Sequence, residues 1–117
     1  MNNYDAESKE KVMKGEDVKT ITGKCFYQEE WWNKLSKEEQ NKIREWVRTE
    51  LKPIKSLNKK HSSYGLKHMC EKMVGFYVSN DMIKKALILE GYECGDTYGF
   101  NWHFNISEKS INKLLHS

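Results

Sequence analysis

A chain of 117 residues with 38% hydrophobic and 32% charged content has room for one domain with one modest core. Four Trp, six Tyr and four Phe argue against a disordered chain, and no apolar run approaches the roughly 18 residues of a membrane span. The net charge of +3 rests on lysine, since Arg44 and Arg48 are the only arginines, and three cysteines without a CxxC pair exclude a disulfide scaffold.

With no signal-peptide pattern, the expectation is a soluble cytoplasmic protein whose Cys25, Cys70 and Cys94 are free thiols. Residues 1–17 lack periodicity and read as a flexible tail or marginal helix, leaving 18–117 as a single helical domain with a hairpin. Residues 18–25, VKTITGKC, are rich in β-branched side chains and predict a short strand.

After YQEEWW the helical signals become strong. Ser36 and Glu39 form a capping box, Ile43, Trp46, Val47 and Leu51 follow at helical spacing, and Pro53 stops that helix near 51. A basic connector spans 52–61. A second helix starts after Ser62 or Ser63, with Leu66, Met69, Cys70 and Met73 on one buried face and Gly75 at its end. Ser79 or Asn80 caps a third helix, with Asp81 in its first turn, Ile83, Ala86 and Leu87 facing inward, and Gly91 closing it.

A hairpin follows: YEC, then the turn GDTYG, then FNWHFNI. In the second arm Phe100, Trp102, Phe104 and Ile106 alternate with Asn101, His103 and Asn105, the period of a half-buried strand. Ser107 caps a last helix with the face Ile111, Leu114 and Leu115. The fold class is therefore mainly α (α+β), a small helical domain with a C-terminal β-hairpin, winged-helix-like.

In that layout the helix before the hairpin enters the major groove, and the expected partner is DNA or RNA. Its outward residues would be Ser79, Asn80, Lys84 and Lys85, since Asn can bond adenine and Lys can bond guanine or phosphate. Lys55, Lys59 and Lys60 would hold phosphates, because residues 52–67 carry five lysines and no acid. Lys67 should point away from the core beside His68, and Asn101 and His103 belong to a polar stripe that could touch nucleic acid or a partner. Against this, the link between the two helices is long for a strict helix-turn-helix, and the hairpin tip carries Asp96 rather than a cation.

Ser62, Tyr64, Gly65, Leu66, Lys67, His68 and Glu71, then Tyr77 to Asn80, Gly91 and Tyr92, Asn101, and Phe104 to Ser107 form the pattern SxYGLKHxxE…YVSN…GY…NxxFNIS. This pattern, over residues 61–107, resembles a family of small proteins from phages, plasmids and integrative elements. The resemblance implies a mobile-element origin and a bacterial host cell. Genes of that kind encode regulators, replication accessories and inhibitors of host defence, including anti-CRISPR proteins.

Enzymatic readings find little support. His68 and Cys70 are two positions apart on a helix and point about 200° apart, so they cannot share one ion with Cys94 and His103. No P-loop, GxGxxG or nucleophile elbow is present, so neither a cofactor nor a metal is expected. The tandem Trp31 and Trp32 cannot both face one core, which leaves one as an anchor for a protein interface or a homodimer. Two functions follow: a non-enzymatic nucleic-acid-binding accessory or regulator of a mobile element, or an inhibitor that docks on a host nucleoprotein such as a CRISPR effector.

Overall fold

The structure, a computed structural model, describes residues 27–116, so the expected tail over 1–17 and strand over 18–25 lie outside the described residues. In chain order the elements are α1 (Glu29–Asn33), α2 (Lys37–Glu50), α3 (Ser63–Val74), α4 (Asn80–Leu89), β1 (Cys94–Gly95), β2 (His103–Phe104) and α5 (Glu108–Leu115). The protein is thus mainly helical with a small antiparallel hairpin.

Local chemistry sets the helix ends. The Ser36 hydroxyl accepts from the Glu39 amide at 3.1 Å, and the Glu39 carboxylate accepts from the Ser36 amide at 2.9 Å. These bonds satisfy two amides that the first turn of α2 leaves over. Ser79 and Ser107 each cap their helices in the same way, accepting from Met82 and Ser110. Gly75 closes α3 at φ 86°, a left-handed conformation that a side chain would resist.

The connector between α2 and α3 is more than a linker. Pro53 bridges Ile106 and Ser62 bridges His103, both antiparallel. Amides of Ile54, Asn58 and Ser63 donate to the carbonyls of Asn105, Phe104 and Trp102 at 2.8–2.9 Å. The connector therefore lies along β2, and β1 lies along the other side, with Cys94 opposite Phe104 and Gly95 opposite His103. Helix, edge segment, two helices and a hairpin, with the edge segment beside the last strand, is a winged-helix-like order. Asn105 staples the three rows together: its side chain accepts from the Glu93 amide and donates to the Ile54 carbonyl.

The core fills the space between α2, α3, α4 and the hairpin. Ile43, Val47, Leu51, Leu66, Cys70, Val78, Ile83, Leu87, Trp102, Phe104, Ile106 and Ile111 are all buried. Each such aliphatic or aromatic group stabilises the fold by about 1.5–3 kcal/mol over its exposed state. Two positions depart from the sequence pattern. Met73, expected on the buried face of α3, is exposed, and so is Phe100, expected to lead the inward row of the hairpin. Met73 shares the side of α3 that carries Leu66 and Cys70, but it is the next-to-last residue of the helix, and at that end the side chain is left in solvent. Phe100 falls in the turn, before the strand pairing that would direct it inward.

Candidate functional site

The expected reading helix has no open side. Every residue of α4 from Met82 to Ile88 is buried, because α4 packs against α1, α2 and α3 at once. Residues 27–32 close the flank that a groove-binding helix needs. The Gln28 amide donates to the Asp81 carboxylate at 3.2 Å, and Trp32 enters the core.

Lys84 is only 1% exposed and Lys85 only 7%, which corrects the reading of both as groove contacts. The Lys84 ammonium lies 3.4 Å from Asp81 and 4.4 Å from the centre of the Trp102 ring. Lys85 pairs with Glu29 of α1 at 3.0 Å. Burial pushes the Asp81 carboxyl above its ordinary range, and the Lys84 ammonium opposes that rise. Ser79, also assigned to the reading surface, is buried as the cap of α4. Asn80 is half-buried and donates to Asn101 at 3.0 Å and to the Phe100 carbonyl at 3.3 Å, so it braces the hairpin turn.

The hairpin residues are likewise engaged. His103 bonds Asp96 at 2.8 Å, and Lys59 pairs with the same carboxylate at 2.9 Å. Burial alone would raise the Asp96 carboxyl, but Lys59 and His103 outweigh it and hold it below the usual range. Asp96 adopts φ 60°, a conformation that aspartate tolerates better than most residues, and its acid supplies a clasp rather than a phosphate contact. Asn101 is exposed.

Neither tryptophan stands open as an interface anchor. Trp32 is core, while Trp31 is half-buried, donates to Gln28 at 3.1 Å and has the Lys34 ammonium 4.7 Å from its ring centre.

α3 differs. Its apolar arc is narrow, and the opposite side, with Tyr64, His68 and Lys72, is at the surface. Lys67 is buried, not outward as its place in the sequence suggested, because two tyrosines cover it. Its ammonium lies 4.9 Å from the centre of the Tyr77 ring, 5.8 Å from that of Tyr64 and 3.5 Å from Glu71. Glu71 ties the corner: it accepts from the Val78 amide at 3.1 Å and bonds His68 at 2.9 Å. The bond from Val78, with help from His68 and Lys67, holds its carboxyl below the usual range. The His68 ring meets Tyr64 edge-on at 4.5 Å. Lys67, His68 and Glu71 thus fix the two tyrosines, while Tyr64 remains 53% and Tyr77 61% exposed. Asn80, three positions after Tyr77, donates to the backbone carbonyl of Phe100, whose side chain is 68% exposed. Sequence reading missed all three rings. The available signal was Tyr64 four positions before His68 on a helix whose apolar arc excludes both.

Lys55 and Lys60 are exposed on the connector, as expected, and Lys52 joins them. Cys70 and Cys94 are buried, and burial pushes the Cys70 thiol up to about 12, leaving it inert at neutral pH. Among the described residues, no three His, Cys, Asp or Glu side chains gather as a metal site. No described helix is long and apolar enough to cross a membrane. Comparison of the chain with protein-family models, curated proteins and solved structures finds no match in any of the three.

Proposed function

We propose that the chain is a non-enzymatic nucleic-acid-binding accessory or regulatory protein of a mobile genetic element, and that it does not use α4 in a major groove. The observation carrying this reading is the connector. Lys52, Lys55 and Lys60 are exposed along it and make no ion pair with a described carboxylate. Lys59, by contrast, is engaged by Asp96, and His61 by Glu108 at 3.1 Å. Three exposed cations outside any described ion pair, on a segment held by β2, suit a row of phosphates.

The test is fluorescence anisotropy with labelled oligonucleotides at low and moderate salt. Changing Lys52, Lys55 and Lys60 together to Ala should weaken binding at least about tenfold and flatten the salt dependence. Equal binding by this variant and the native chain would defeat the reading.

A second reading is an inhibitor that docks on a host nucleoprotein such as a CRISPR effector. The exposed Met73, Tyr77 and Phe100 favour it, since large apolar side chains at the surface often mark protein contacts. That reading expects a stable complex with a host protein and negligible affinity for free oligonucleotides.

A further inference from the structure

The geometry points to the outer side of α3 as a platform for single-stranded nucleic acid, an inference that rests on the function proposed above and names its ligand. Bases would stack on the rings of Tyr64, Tyr77 and Phe100, and the phosphates would run toward Lys60 and Lys55.

Four observations converge. First, two of the rings, those of Tyr64 and Tyr77, are held before any ligand arrives. Lys67 lies beneath Tyr64 and Tyr77, and His68 abuts Tyr64, so little side-chain freedom remains to be lost on binding. Tyr64 is 53%, Tyr77 61% and Phe100 68% exposed.

Second, Gly65 sits in the first turn of α3 between Tyr64 and the core residue Leu66. A Cβ there would meet nothing within 4 Å, and its backbone is not in the left-handed region. The fold therefore has no need of glycine at this point, where alanine would be more stable by roughly 0.5–1 kcal/mol. A glycine that the molecule itself does not require leaves room for an outside chain to approach the helix backbone.

Third, the charge matches a polyanion. The first turn of α3 has no acidic residue, so its positive dipole end is not offset there, and Lys60 lies just upstream. Pairing of Ser62 with His103 and of Ser63 with Trp102 sets the end of the lysine-bearing connector against the start of the aromatic corner.

Fourth, a duplex does not fit. Stacked and paired bases cannot lie on protein rings, and the helix that would read a major groove is sealed. Unpaired bases offer their faces to any aromatic platform, with little dependence on sequence.

The experiment titrates the full chain against labelled dT20, rU20 and a mixed-sequence 20-base-pair duplex by anisotropy. The single strands should bind at least about tenfold more tightly than the duplex. Each of Tyr64→Ala, Tyr77→Ala and Phe100→Ala should weaken single-strand binding by about 5- to 100-fold, the range measured for lost base stacking, in a variant that circular dichroism shows still folded at the assay temperature. Tyr64→Phe should retain binding, and Gly65→Gln should impair it without unfolding the helix. Comparing dT20 with rU20 separates DNA from RNA as the preferred strand. Duplex binding as tight as single-strand binding, or ring variants that bind like the native chain, would overturn the platform while leaving a nucleic-acid function standing. No binding to any of the three polymers would overturn both, and would leave the exposed rings to a protein partner.

Discussion

α3 and α4 are consecutive and carry basic residues on what read as their outward sides, yet the molecule treats them in opposite ways. α4 is enclosed by α1, α2 and α3, and its two lysines are spent on Asp81 and Glu29. α3 leaves a whole side in solvent and covers one lysine with two tyrosines. Which lysines face solvent is therefore not a property of their helix. It depends on a segment more than fifty residues upstream, residues 27–33, which lies on one helix and not the other.

This contrast can be broken or sharpened by experiment. The largest effect belongs to the sealed helix. Lys84→Ala would strip Asp81 of its buried counterion and leave a gap against Trp102, at a cost of about 3–5 kcal/mol. Chemical denaturation should show it as a lower midpoint with little change in slope. Lys60→Ala, an equivalent change in the sequence, should move stability by less than about 0.5 kcal/mol. Comparable losses for the two would mean that α4 is not enclosed.

The second effect concerns acid. The Glu90 carboxyl would be raised by burial, but hydrogen bonds from Arg48 and Arg44 hold it below the usual range. Glu71, Asp96 and Glu108 are also held low, through Val78, Lys59 and Asn58 respectively. A carboxyl with a folded pKa below its unfolded value contributes stability that is present above about pH 4.5 and is lost as pH falls through the folded value. Asp81, raised by burial, works against that loss on the sealed side. Unfolding free energy should therefore drop steeply below about pH 4. In the double variant Arg44→Ala/Arg48→Ala the drop should be shallower, because Glu90 then titrates nearer its unfolded value. An unchanged pH slope in that variant would remove Glu90 from the account.

Much of this architecture is legible in the residues. Ser36 with Glu39, Pro53, Gly75, Ser79 and Ser107 place the helix ends, and alternation through Trp102, Phe104 and Ile106 gives the inward row of the hairpin. The enclosure of α4 is less visible, though not invisible. Met82, Ile83, Ala86, Leu87, Ile88 and Leu89 spread around most of the helix, and so wide an apolar arc leaves no face for solvent. Lys84 and Lys85 lie inside that arc, where their charge suggests a groove contact but their neighbours argue for burial. What could not be read is the pairing of Glu29 with Lys85 and of Gln28 with Asp81, contacts that only the folded chain creates. The same holds for Lys67, whose burial depends on Tyr77 arriving from beyond the end of α3.

Two smaller effects complete the comparison. Gly95→Ala would drive a Cβ into the Leu57 Cδ1 methyl, where the connector crosses the hairpin, and should cost about 1 kcal/mol because a leucine end can shift. Gly65→Ala, on the open face of α3, should raise stability by about 0.5–1 kcal/mol, seen as a higher thermal midpoint. Two glycine-to-alanine changes of opposite sign would distinguish a glycine demanded from within from one the interior does not need.

The seam between residues 52–63 and 102–107 also bears on how the protein is made. Helices α2 to α4 leave the ribosome with Leu51, Leu66 and Ile83 lacking the partners that Trp102, Phe104 and Ile106 later supply. Those partners are translated after the helices, and the seam spans about fifty positions of chain, a slow closure compared with pairing adjacent helices. A nascent chain stalled near Gly91 would display sticky apolar flanks to chaperones and proteases, so translation through the hairpin is the step that commits the molecule to its final shape.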